Sequence, residues 1–271
     1  MQLPKGEQAR LKAYGKWALI TGASSGIGAE LARQLASSRL DLILVSRGAS
    51  ELEALATELK MKYDTQCRIL SLDLSKTEST VQLLAAVSGL DIGLVALAAG
   101  YGTSGHFLQA DLDQELNMLD LNCRAILSQT HHFAQRFAER GKGGIILFGS
   151  LVGFQGTPYA AHYAATKAYV QTLAEALHVE LKDSGVDVLS AAPGPVNTSF
   201  AERANMQMGT ALRPEDVGVP ILRALGKRQT VLPGFLTKFL VGSLRTLPRW
   251  GKVRVMKLVM GGMTEHQREV S

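Results

Sequence analysis

Seven short, nearly unbroken apolar runs alternate with segments of helical periodicity from the start of the chain to about residue 233. This alternation constrains the fold more than any other feature. The runs fall at 16–21, 41–46, 68–72, 92–98, 144–149, 186–192 and 230–232, and the helical segments at 26–38, 50–62, 76–87, 112–139, 158–183 and 213–224. Runs such as Leu42-Ile43-Leu44-Val45 and Ile145-Ile146-Leu147-Phe148 lack the polar alternation of a strand with one wet face. Strands covered by helices on both faces read this way. The pattern predicts an α/β fold: a single doubly wound, Rossmann-type domain with a seven-stranded parallel sheet. No Pro/Ser-rich linker or internal repeat divides the chain. Residues 1–233 are expected to form this domain, and 234–271 a basic, partly helical extension.

With 271 residues, 46% of them hydrophobic, the chain can bury a core without disulfides, and global disorder is excluded. Cys67 and Cys123 are too few for a disulfide framework and fit a reducing compartment. The six histidines and two cysteines have no metal-ligand spacing, so no metal site is predicted. No run of 18 apolar residues occurs, and residues 1–16 lack the apolar centre of a secretory signal. The expected location is cytoplasmic, with membrane association as a further reading. The net charge of +5 is unevenly spread. Nine Lys or Arg and no acidic residue lie between Val217 and Thr264, which leaves the rest of the chain at −4. Three roles compete for this basic stretch: packing on the domain or a second subunit, a lid over a lipophilic substrate, or contact with an anionic membrane. Few aromatics and an acidic body argue against nucleic acid.

In a doubly wound sheet, ligands bind beyond the carboxyl ends of the strands, at the switch point. The first strand runs into Thr21-Gly22-Ala23-Ser24-Ser25-Gly26-Ile27-Gly28 at the start of a helix. Gly22 permits a sharp turn, Gly26 a close approach to a pyrophosphate, and Gly28 tight packing of helix on strand. Free N–H groups at the helix start then meet the negative charge. After the second strand comes Ser46-Arg47, with no carboxylate where ribose hydroxyls of NAD would be held. A guanidinium there suits a 2′-phosphate, so NADP(H) is preferred and NAD(H) is the second choice. Leu72-Asp73-Leu74 and Ala98-Ala99-Gly100 follow the third and fourth strands. Asp73 is placed to accept from an adenine amino group, and the small residues let a dinucleotide lie on the backbone.

Tyr163-Ala164-Ala165-Thr166-Lys167 lies within a predicted helix, so Tyr163 and Lys167 share a face, and Ser150 ends the fifth strand. A hydroxyl, a phenol and an ammonium at one sheet edge suit proton exchange with a substrate oxygen while hydride moves at the adjoining carbon. An ammonium about 4 Å from the phenol favours phenolate by about 4 kcal/mol at an effective dielectric of about 20. The expectation is therefore a Tyr163 pKa drawn down toward neutrality.

With these residues in place, the sequence resembles the short-chain dehydrogenase/reductase family, NADP-preferring type, over residues 15–200. The resemblance rests on the glycine turn, Ser150, Tyr163 to Lys167, and Pro193-Gly194-Pro195-Val196-Asn197-Thr198. It implies that Tyr163 is the acid/base, that Ser150 binds the substrate oxygen, and that Lys167 also holds the nicotinamide ribose. It further implies that Asn122 holds a water linking Lys167 to solvent. Pro193, Gly194, Val196 and Thr198 would pass the nicotinamide and the phosphates. One departure is Leu97-Ala98-Ala99-Gly100, where the family usually has Asn-Asn-Ala-Gly. Ala98 lacks the asparagine that commonly braces the sheet, a difference of stability and subgroup. The family also implies a homodimer or homotetramer.

Pocket walls are expected from Val152, Gly153, Phe154, Gln155, Tyr159 and His162, and from a mobile lid at 199–208 carrying Phe200, Met206 and Met208. The reading that results is an NADPH-dependent reductase of a ketone or aldehyde, reversible as an alcohol dehydrogenase, for a lipophilic or acyl small molecule. The alternatives are a 3-oxoacyl-thioester reductase (acyl carrier protein or CoA) and a non-catalytic NADPH-sensing regulator.

Overall fold

The computed structural model describes residues 3–209 and 211–267; the last residues of the expected extension, 268–271, lie outside them. Seven parallel strands form one sheet: β1 (Trp17–Thr21), β2 (Asp41–Ser46), β3 (Cys67–Ser71), β4 (Ile92–Leu97), β5 (Gly143–Phe148), β6 (Val186–Ala191) and β7 (Thr230–Val231). Their spatial order is β3-β2-β1-β4-β5-β6-β7. The winding reverses between β1 and β4, which opens a crevice at their carboxyl ends. Every strand begins and ends within two residues of the run predicted for it.

The strands are apolar throughout because each buries both faces. In β1, Ala18 and Ile20 join one core with α2 (Gly26–Ser37), α3 (Ala49–Tyr63) and α9 (Pro214–Ala224), the last following the single-turn α8 (Phe200–Arg203) in the chain. Trp17 and Leu19 join the opposite core, as the period of two requires. That second core is covered by α4 (Thr77–Ala86), α6 (Ile126–Glu139) and α7 (Ala161–Glu180), and includes the fully buried Phe133 and Phe137. A third, smaller cluster lies over the carboxyl edge of the sheet and is rich in methionine: Met118, Met206, Met256 and Met260, with Tyr163.

Two features depart from the pattern read in the sequence. The stretch expected as one helix over 112–139 is α5 (Leu112–Leu119), a π-helical segment Asp120–Ala125, and α6. The wider turn leaves the hydrophobic period almost unchanged, so periodicity does not reveal it. The polar N-terminus folds as α1 (Lys5–Tyr14), whose narrow apolar face puts Leu11 and Tyr14 into the first core and which is tied down further by hydrogen bonds. Arg10 donates to the carbonyls of Leu222 (2.9 Å) and Leu225 at the end of α9, and the Tyr14 hydroxyl donates to Asp187. Arg140 donates to the carbonyl of Tyr14. A cation at a helix carboxyl end satisfies carbonyls that have no partner within the helix.

Beyond β7 the chain forms α10 (Phe235–Arg245) and α11 (Arg249–Met263). Both pack on the domain through Val241, Leu244, Met256 and Met260. No helix among the described residues is long and apolar enough to cross a membrane. Since Arg10 is partly exposed, Arg10→Ala is expected to cost about 1–2 kcal/mol, read as a lower urea midpoint with an unchanged slope.

Candidate active site

The turn after β1 has the backbone that its glycines permit. Gly22 (φ 67°) and Gly26 (φ 55°) are left-handed. A Cβ on Gly28 would lie 2.2 Å from the Gly22 carbonyl oxygen, and one on Gly26 would lie 2.8 Å from Thr198 Cγ2. Ser25 precedes α2 in an extended conformation, and its side chain does not cap the helix. The first-turn N–H groups are left to whatever fills the crevice. That crevice is a cavity of about 660 Å³.

Its wall takes in Gly22, Ser24, Ser25, Gly26, Ile27, Gly28, Arg47, Asp73, Leu74, Ala99 and Gly100. Ser150, Tyr163, Lys167, Pro193, Gly194, Val196 and Thr198 line it as well. Every catalytic or cofactor-binding residue proposed from the sequence except Asn122 lines this one space. Asp73 Oδ1 accepts from the Ser75 N–H (3.2 Å) and hydroxyl (2.8 Å). Where the family asparagine is replaced by Ala98, the Thr21 hydroxyl accepts from the Ala99 N–H (3.0 Å) and ties β4 to β1. The Pro193–Thr198 stretch is fixed by Leu212, which donates to the Pro195 carbonyl (2.9 Å) and accepts from Asn197 N–H (2.7 Å).

Asn122 stands behind the wall, and the π-helical segment is what aims it. Its amide donates to the Tyr101 carbonyl (2.8 Å) and the Thr166 hydroxyl (3.1 Å), while Oδ1 accepts from the Tyr101 N–H (3.2 Å). A Cβ on Gly100 would lie 2.9 Å from Asn122 Oδ1 and 3.6 Å from Lys167 Nζ. Asn122 thus joins the loop after β4 to α7, next to the lysine. Single π-turns of this kind are often found at functional sites.

Tyr163 and Lys167 are both buried. The Lys167 amine donates to the Phe148 carbonyl at 2.9 Å, and lies 5.8 Å from the centre of the Tyr163 ring. Burial pushes the phenol up to about 12, against a smaller downward pull from the Ser150 hydroxyl. Burial brings the lysine down to about 8. The expectation of a phenol near neutrality is therefore corrected. Loss of solvent outweighs the attraction, because the amine is drawn to a backbone carbonyl and is itself desolvated. At neutral pH the phenol keeps its proton.

The expected pocket walls are also revised. Val152, Phe200, Met206 and Met208 line the cavity, whereas Gly153, Phe154, Gln155, Tyr159 and His162 are not part of its wall. A Cβ on Gly153 would lie 2.9 Å from the Lys167 carbonyl, so this turn packs on α7. Gln155 is spent on the Leu151 carbonyl (3.1 Å), and His162 pairs with Glu115 (2.6 Å). Their place is taken by Tyr101 and, from the basic C-terminal stretch for which a lid is one of the three expected roles, by Leu240, Met256, Val259, Met260 and Met263. The helical spacing of the three methionines was the available signal. Glu51 and Arg203 also reach the wall near Arg47. The Glu51 carboxyl is held below its ordinary range by its own backbone N–H and the Ser50 hydroxyl.

The cradle fits a nicotinamide dinucleotide: left-handed glycines, uncapped helix donors, and backbone approaches that a Cβ would close. A sequence model of the short chain dehydrogenases matches residues 16–209. The chain belongs to this family. It is an oxidoreductase acting on hydroxyl or carbonyl groups. Among curated relatives, it is 42% identical over 186 residues to a very-long-chain 3-oxoacyl-CoA reductase of Neurospora crassa, covering 66% of this chain and 56% of that one. The aligned part is thus little more than half of that reductase. It is 33% identical over 229 residues to a 7β-hydroxysteroid dehydrogenase of Clostridium sardiniense, covering 83% and 88%. A solved 7β-hydroxysteroid dehydrogenase superposes with TM-score 0.84 at 26% identity, covering 91% of this chain and 98% of that one. A short-chain dehydrogenase from Sphingobium yanoikuyae in complex with NADPH gives 0.76 at 29% identity, covering 85% and 94%.

Proposed function

We propose that this oxidoreductase works as an NADPH-dependent reductase of ketones or aldehydes on a lipophilic substrate. The observation that carries the reading is the placement of Tyr163 beside Ser150 and Lys167 in the wall of one methionine-lined cavity, where burial raises the phenol and so favours its protonated form. A general acid must hold its proton at working pH, and a buried phenol does so. The reaction is reversible: in alcohol oxidation the same phenol, as phenolate, takes the proton from the substrate hydroxyl.

In this reading Ser150 donates a hydrogen bond to the carbonyl oxygen and orients it. As that oxygen gains negative charge, the Tyr163 O–H bond breaks and its proton passes to the oxygen, leaving a phenolate. Lys167, its amine fixed on the Phe148 carbonyl, stabilises that phenolate and returns a proton to it. Asn122 braces the loop that carries Gly100, and so keeps Lys167 open to a proton path. Gly22 to Gly28, Ala99, Gly100 and Pro193 to Thr198 would hold the dinucleotide, with Arg47 on its 2′-phosphate and Asp73 on its adenine. When bound, the reduced nicotinamide supplies the hydride to the carbonyl carbon. Arg47 in the cavity wall, with no carboxylate at the end of β2, favours NADPH over NADH, as does the likeness to a protein solved with NADPH.

For the substrate, Met206, Met208, Met256, Met260 and Met263 form an unbranched, adaptable apolar wall. The named relatives act on acyl thioesters and on steroids, two lipophilic classes consistent with such a wall. A 3-oxoacyl thioester is the second reading, favoured by the likeness to the fungal reductase.

Tyr163→Phe is expected to lower reductive kcat at least a thousandfold on any accepted ketone, with NADPH affinity within about threefold of the parent by fluorescence titration. Turnover close to the parent's refutes the assignment. NADPH binding without oxidation across ketones, steroids and 3-oxoacyl thioesters points instead to a non-catalytic sensor. Separately, Arg47→Ala is expected to weaken NADPH binding by about 1.5–3 kcal/mol and to leave NADH nearly unchanged. Equal losses for both overturn the cofactor preference.

A further inference from the structure

We propose that the outward face of α10 and α11 is a docking surface for an anionic lipid bilayer. The inner faces of both helices are spent on the protein: Thr237, Val241 and Leu244 on α10, and Met256 and Met260 on α11, are buried. The outer faces carry large apolar side chains in water. Phe235 is 83% exposed, Phe239 61%, Trp250 65% and Leu258 79%. Phe235 and Phe239 stack at 6.5 Å on successive turns of α10, and Trp250 and Leu258 lie two turns apart on α11. Such residues have no core to join, yet they are grouped on one pair of consecutive helices.

The charges around them select the partner. Lys238, Arg245, Arg249, Lys252, Arg254 and Lys257 lie on the same two helices or at their ends, and no acidic residue occurs between Asp216 and Glu265. None of the six is in an ion pair with a carboxylate among the described residues, and the Arg254 guanidinium lies over the Trp250 ring at 5.1 Å. Aromatic and aliphatic groups interleaved with unpaired cations, on helices too short to span a bilayer, match the interfacial mode of binding. The apolar side chains enter the acyl boundary while the cations meet anionic headgroups.

The two helices also roof the cavity through Leu240, Met256, Val259, Met260 and Met263. A bilayer on their outer face would lie about one helix diameter, roughly 10 Å, from the space assigned to the substrate. This link to a lipid-borne substrate rests on the proposed function. The docking itself does not.

The test is flotation of the full-length chain with vesicles of phosphatidylcholine alone and of phosphatidylcholine mixed with phosphatidylglycerol. Binding is expected to the mixed vesicles only, and to be released when salt is raised to about 1 M, where screening shortens to about 3 Å. Lys238→Glu with Arg254→Glu is expected to weaken it at least tenfold, at about fivefold per cation, and Phe239→Ser with Trp250→Ser to a similar degree. Thermal melts check that each variant is folded. Reduction of a water-soluble ketone without vesicles is expected to be unchanged in all of them, which separates a failed docking surface from a failed assignment of the reaction. The proposal is overturned by no binding to mixed vesicles, by equal binding to neutral ones, or by binding that the variants leave intact. It is equally overturned if the variants split an oligomer while vesicle binding is absent, since the face then belongs to a second copy of the chain.

Discussion

Desolvation of one phenol and one amine on adjacent turns of α7 is the constraint on which the site depends. Neither group is comfortable there as an ion. The amine is kept in place by the Phe148 carbonyl at the end of β5, and the phenol by the Ser150 hydroxyl and the cluster over the sheet edge. This arrangement needs the strand ends, the helix and the roof to be in register at once. The fold provides it by bringing the carboxyl ends of β1, β4, β5 and β6 to one crevice. The proton exchange assigned to the protein follows from that placement of hydroxyl, phenol and amine in one crevice.

Much of this was legible in the chain because the signals were local. A strand buried on both faces reads as an apolar run, and the turn after β1 reads as glycines where φ must be positive. Tyr163 and Lys167 share a face because they are four residues apart on a helix, and no distant contact is needed to see it. The departure at Ala98 was visible too; its consequence, a brace from Thr21 to Ala99 across two strands, was not.

What the sequence concealed depends on distance or on small changes of geometry. The π-helical segment at Asp120–Ala125 preserves hydrophobic spacing while turning Asn122 toward Tyr101 and Thr166. Helix α1 has only a narrow apolar face, Leu11 and Tyr14, and its partners on α9 and β6 lie far along the chain. The pocket walls are hidden for a similar reason. Residues near Ser150 in sequence pack back on α7, and residues about a hundred positions later form the roof. The phenol's protonation is hidden for the same reason: a Tyr–Lys pair taken alone favours the phenolate, and the burial of both partners, set by the whole fold, reverses that sign.

The central claim is that Tyr163 is a neutral acid at working pH, and an ultraviolet difference titration tests it most directly. The tyrosinate signal of the parent protein is compared with that of a chain lacking the Tyr163 hydroxyl. The account predicts no ionisation from this residue by pH 10, where an unperturbed phenol is about half ionised. A difference signal titrating near pH 7–8 would contradict it and would restore a phenolate as the resting form.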